Sequence, residues 1–143
     1  MATTVCTNWV KETLFDAELS GHHLFMDMDT KAGGEDKGPR PKPLILAALS
    51  GCSGMDVVSI LKKMRVADYQ FKIDVAAEST TEHPIIYHTI NVDFHFEGSE
   101  LPKDKIFRAV ELSTTKYCGV MAMLRKAAQI NVKVYINGLE VTP

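Results

Sequence analysis

The sequence predicts an α+β fold, with a mainly antiparallel sheet packed around one long apolar helix. Three observations carry that expectation. Tyr69–Glu78 and Ile85–Phe96 alternate apolar and polar residues with the period of half-buried strands. Leu44 to about Met64 is apolar around nearly its whole circumference, and such a helix must be covered on all sides. The element order is strands, long helix, two strands, two helices and a strand. It lacks the regular strand–helix alternation of a doubly wound sheet.

Each element has a local reason. Val5, Thr7 and Trp9 fall on one side of a first strand, and Lys11-Glu12 offers a turn. Leu14, Asp16 and Glu18 continue the pattern, and Ser20-Gly21-His22 turns the chain into His23-Leu24-Phe25-Met26-Asp27. These residues predict three short antiparallel strands. Lys31 to Pro43 holds three glycines and three prolines, a loop by composition. Pro43 suits the first helical position. The long helix then closes on Lys62, Lys63 and Arg65, cations that complement the negative end of its dipole. A small sheet covers only one side of it, so a second helix or a second chain is expected on the other.

Ser79 to Pro84 is a hairpin-scale connection between the two clear strands. Pro102 opens a further helix, with Ile106, Phe107, Val110 and Leu112 on its packed side. Thr114-Thr115 is expected to end it, because paired β-branched residues disfavour continuation. A new helix is expected from about Cys118 to Ala128. Ile130 to Ile136 then reads as the last strand, closed by the turn signal Asn137-Gly138.

The length of 143 residues and the 45% hydrophobic content predict one domain spanning residues 1–143. With 16 basic and 18 acidic side chains the formal charge is −2, and no basic stripe exists for counterion release, so nucleic-acid binding is not expected. Met1 to Cys6 lacks the blocks of a secretory signal, and the longest apolar run, broken by serine and glycine, reads as too short to span a membrane. Three cysteines without framework spacing argue against structural disulfides and for a reducing cytoplasm.

Two cysteines stand out. Cys52 lies between Gly51 and Gly54 in the apolar helix, where two interior glycines cost roughly 2 kcal/mol relative to alanine. Close approach of another group, or helix packing, would explain them. Cys118 follows Lys116 at a helix start, where the dipole and a cation favour a thiolate. As a plain alternative, both sulfurs are small packing atoms. Asp56, one turn after Cys52, faces nearly the same way. It would orient a reductant or hold the thiol's proton, or bond a neighbouring lysine or a backbone group, and if charged and close it opposes thiolate formation. Cys6, in an expected edge strand, has no assigned role. His88 and His95 alternate to opposite strand faces, and His22 and His23 point apart, so no metal site is expected. The methionines around both cysteines read as adaptable packing or as the lining of an apolar pocket.

The run Gly33-Gly34-Glu35-Asp36-Lys37-Gly38-Pro39-Arg40-Pro41, the helix from Leu44 to Cys52, and Lys116-Tyr117-Cys118 together resemble the OsmC/Ohr family of thiol-dependent hydroperoxide reductases. The likeness is to the OsmC-like branch, with Gly-Pro-x-Pro before an apolar helix carrying Gly-Cys-(Ser/Thr)-Gly. The resemblance implies an intertwined homodimer with two central helices and active sites at the interface. It implies that Cys52 attacks the peroxide as a thiolate, that Cys118 resolves the sulfenic acid to a disulfide, and that a small dithiol or lipoyl-type reductant restores both. It implies no metal or organic cofactor. The chain departs from the better-studied branches, which set an arginine and a glutamate against the attacking thiol. The positions about nine or ten residues before Cys52 are Lys42 and Pro43, and no arginine precedes Arg40. Arg40 or Lys42 would supply a cation and Glu35 or Asp36 a carboxylate. Ten residues along one helix span about 15 Å, so such help would come from loop folding or the partner chain. The alternative is an OsmC-fold dimer with little or no peroxidase activity, binding a small apolar molecule or serving as a stress-associated module.

Overall fold

The computed structural model describes residues 1–143, and the chain divides into two compact units, 1–45 and 46–143.

The first unit is a three-stranded antiparallel meander of β1 (Cys6–Lys11), β2 (Leu14–Leu19) and β3 (His22–Met26), the three short strands the sequence predicts. Ser20 and Gly21, at φ of +50° and +75°, form the tight turn that pairs Leu19 with His22. The segment after β3 is held by one carboxylate. Buried Asp27 accepts hydrogen bonds from the Thr13 hydroxyl at 2.6 Å and from the backbone N–H groups of Met28, Glu35 and Lys37 at 2.8, 3.2 and 3.2 Å. These donors, led by Thr13, hold its carboxyl down to about 2, and burial works against them. The wrapped loop comes so close that a Cβ at Gly34 would lie 2.0 Å from the Met28 carbonyl oxygen. Only glycine fits there.

The second unit is built on α1 (Leu44–Lys63), whose first two residues belong to the first unit, and a mixed sheet in the order β4 (Gln70–Ser79), β5 (Tyr87–Glu97), β6 (Gln129–Ile136), β7 (Leu139–Val141). Strands β4 and β5 pair antiparallel from Gln70↔Glu97 to Ser79↔Tyr87, and their alternation buries Ile90, Val92, Phe94 and Phe96. Phe71 stacks on Phe96 with ring centroids 4.5 Å apart. Strand β6 runs parallel to β5, because the chain between them crosses over through α2 (Lys103–Leu112) and α3 (Gly119–Leu124). The sheet is therefore mainly, but not wholly, antiparallel. Asn137-Gly138 does turn the chain, but into a further short strand, β7, so β6 is not the last.

Two helical expectations are corrected. Thr114-Thr115 does not break the chain away from α2. Ser113–Tyr117 continues as one π-helical turn, in which the hydroxyls of Thr114 and Thr115 bond back to the carbonyls of Val110 and Glu111 at 2.9 and 2.6 Å. The backbone ladder thus shifts to the wider π spacing, and the β-branched pair adds side-chain bonds to it. The following helix, α3, is shorter than expected, ending at Leu124.

Helix α1 has the span expected for it, but its apolar run and its burial differ from expectation. At 20 residues it is about 30 Å long, and its mean hydropathy of 1.9 makes it long and apolar enough to cross a membrane. The serine and glycine breaks do not shorten it. Within this chain its buried positions are Leu49, Ser53, Val57 and Leu61, a single stripe at four-residue spacing. Met55, by contrast, is 73% exposed.

Candidate functional site

Ser53, on the buried stripe of α1, leaves its neighbour Cys52 half-buried at the stripe's edge, and Asp56 lies one turn further on, also half-buried. Opposite them, the π turn ends at Cys118, whose N–H bonds the Ser113 carbonyl oxygen at 2.8 Å. Such turns often mark functional positions. Cys118 is the cap of α3 and not a residue of its first turn, with extended backbone at φ −73° and ψ 104°. Its sulfur takes the place of the usual cap oxygen, accepting from the Met121 N–H at 3.3 Å.

The two thiols and the carboxylate converge. The Cys52 and Cys118 sulfurs and an Asp56 carboxylate oxygen all lie within 4.8 Å of one another. The Ser53 hydroxyl donates to the Cys118 sulfur at 3.2 Å, and the Ser113 hydroxyl lies 3.1 Å from Asp56 Oδ2 and 3.2 Å from the Ser53 carbonyl oxygen. Burial pushes the Cys52 thiol above its ordinary value, and the Cys118 sulfur and the Asp56 carboxylate push the same way. The Val120 N–H opposes them. Asp56 therefore acts on Cys52 as its charge predicts, but its bond is to the Ser113 hydroxyl and not to the lysine or backbone group expected.

The other predicted site residues take part in local pairing. Glu35 pairs with Lys11 at 2.7 Å and Lys37 at 2.6 Å. Arg40 pairs with Asp36 and donates to the Asp27 carbonyl oxygen at 2.8 Å. Lys42 lies in the turn before α1. Lys116, expected to support Cys118, lies over the Tyr117 ring at 5.2 Å. Gly54 has the close neighbour its position suggests, since a Cβ there would lie 3.2 Å from Ile73 Cδ1, but Gly51 faces open space. His88 is exposed, and His95 stacks on Tyr135 at 4.8 Å. Cys6 is exposed on β1.

Ser53 and Ser113 escaped the sequence reading. Ser53 was legible, because it completes the four-residue spacing of Leu49, Val57 and Leu61. Ser113 was hidden by the misread break at the threonine pair.

A family profile described as OsmC-like protein matches residues 34–133. Protein YhfA of Escherichia coli (strain K12) is 39% identical over 123 residues, covering 85% of this chain and 89% of its own. Among solved structures, a hypothetical protein from Aquifex aeolicus VF5 superposes with a TM-score of 0.82 at 29% identity, covering 96% of this chain and 97% of its own. An organic hydroperoxide resistance protein OsmC from Legionella pneumophila shares the fold, with a TM-score of 0.63 at 14% identity over 95% of this chain and 96% of its own. The motif around Gly34–Pro41, the cysteine-bearing α1 and the π turn to Cys118 all fall within the matched region. The chain belongs to the OsmC-like family.

Proposed function

We propose that this chain is a dimeric thiol peroxidase that reduces organic hydroperoxides through Cys52 and Cys118. The observation that carries the reading is the approach of the two sulfurs to within 4.8 Å, from which a disulfide bond of about 2.05 Å closes by a further movement of less than about 3 Å. The Cys52 thiolate attacks the O–O bond. It becomes a sulfenic acid, and the alkoxide leaves as an alcohol after taking a proton. The Cys118 thiol then condenses with the sulfenic acid, forming the disulfide and releasing water. A small dithiol or lipoyl-type reductant gives up two electrons and two protons to restore both thiols. A reducing compartment, the cytoplasm, suits this cycle.

The second copy is inferred from α1. Met55, Ile45 and Val58 expose apolar surface, while Gly54 holds the helix close to Ile73 of β4. Lipid cannot cover that surface, because the attached sheet would carry its open edges into hydrocarbon. Another copy of the same helix would. In this reading Arg40 or Lys42 would supply the activating cation and Glu35 or Asp36 the carboxylate, through refolding of their loop or from the second copy.

One observation favours a second reading. Burial and Asp56 hold the Cys52 thiol up, which reduces the thiolate available for attack. An OsmC-fold dimer with little peroxidase activity, binding a small apolar molecule, would need no activated thiol.

Stoichiometric cumene hydroperoxide separates the two. The peroxidase reading expects reduced protein to lose two thiols per chain rapidly, and Cys52→Ser to lose none. Equal rates in both proteins would reject it.

A further inference from the structure

We propose that the reduced protein binds a thiophilic divalent cation of the Zn2+ class between Cys52, Cys118 and Asp56. Three side chains that ligate as anions meet there, Cys52 and Asp56 from successive turns of α1 and Cys118 from the cap of α3: two sulfurs and a carboxylate oxygen, all within 4.8 Å of one another. Ligand sulfurs around a tetrahedral zinc with bonds of about 2.3 Å stand about 3.8 Å apart. The cluster therefore needs to contract by about 1 Å, within reach of χ rotation at the half-buried Cys52 and Asp56.

The surroundings suit that role. The Ser53 hydroxyl and the Met121 N–H both donate to the Cys118 sulfur, at 3.2 and 3.3 Å, as outer partners do for a ligating thiolate. Ser113 bonds Oδ2 of Asp56 at 3.1 Å, fixing the carboxylate while its other oxygen stays available. Lys116, the nearest cation in sequence to Cys118, is over Tyr117. Three protein ligands leave the fourth tetrahedral position to water, the open arrangement that admits exchange. Binding converts two thiols to thiolates and releases two protons to solvent, and the ion balances the charge that would otherwise gather at the cluster. Soft sulfur ligands select zinc over magnesium or calcium.

The inference stands on this geometry and does not need the redox cycle. The test uses full-length protein carrying Cys6→Ser, so that exposed Cys6 cannot compete. Reduced protein is titrated with Co2+ as a spectroscopic stand-in and with Zn2+ against a chromogenic chelator. One equivalent per chain is expected, with a sulfur-to-cobalt charge-transfer band and proton release. Cys52→Ser and Cys118→Ser should each lose the band, and Ser113→Ala should weaken binding by about 10-fold. Circular dichroism checks that each variant folds. No charge-transfer band in the reduced parent, or a band unchanged by Cys118→Ser, overturns the proposal. Peroxide titration of the same metal-free sample reports separately on the redox reading.

Discussion

Asp27 and Asp56 are centres of the two units, and their surroundings treat them oppositely. Asp27 is buried and accepts four hydrogen bonds, three of them from the backbone of its own loop. Asp56 is half-buried, has the Ser113 hydroxyl beside one oxygen, and faces two thiols. A carboxylate whose lone pairs are all engaged organises structure. One with capacity left, set beside nucleophiles, changes the chemistry of its neighbours. The first unit spends its acid on shape and the second keeps its acid for reactivity.

That contrast can be broken by mutation. The largest effects are expected where packing has no slack. Leu61→Ala, on the buried stripe of α1, should cost about 2–5 kcal/mol in chemical denaturation, whereas Met55→Ala on the exposed side should cost within about 0.5 kcal/mol in a dilute monomer. Met55→Ala should instead weaken self-association, read by sedimentation. Gly34→Ala comes next. It sets a methyl against the Met28 carbonyl and should cost about 1–3 kcal/mol or more.

Asp27→Asn follows, lowering the thermal midpoint at neutral pH. The pH dependence has a definite sign. The folded carboxyl lies below its ordinary 3.8, so its stabilisation is complete above that value and is lost as pH falls through about 2. The variant should lose that acid slope. The smallest effect belongs to the other acid. Asp56→Asn removes a group that holds the Cys52 thiol up, so Cys52 should alkylate faster at neutral pH, with little change in stability. A slower rate would contradict the role given to Asp56.

The strands, long helix and cysteine positions were legible because each rests on a short-range signal. Period-two alternation marked β4 and β5, and paired turn residues marked Ser20-Gly21 and Asn137-Gly138. What escaped was set by tertiary context. The π turn keeps α2 running past Thr114-Thr115 because threonine hydroxyls found carbonyls to bond, a choice that β-branching alone does not reveal. The span of α1 was legible, but not its burial: serine and glycine read as breaks in its apolar run, whereas the chain buries one stripe through Ser53 and leaves Met55 exposed. Cys52, Cys118 and Asp56 could each be picked from the chain. Their convergence required the crossover between β5 and β6, which links residues more than sixty positions apart.

The central claim is that Cys52 and Cys118 form one dithiol. Peptide mapping of the reduced protein after one equivalent of cumene hydroperoxide tests it most directly. The account predicts a single new cross-linked peptide joining Cys52 to Cys118, with Cys6 still free. A sulfinic acid at Cys52 with Cys118 unmodified, or a disulfide through Cys6, would contradict it.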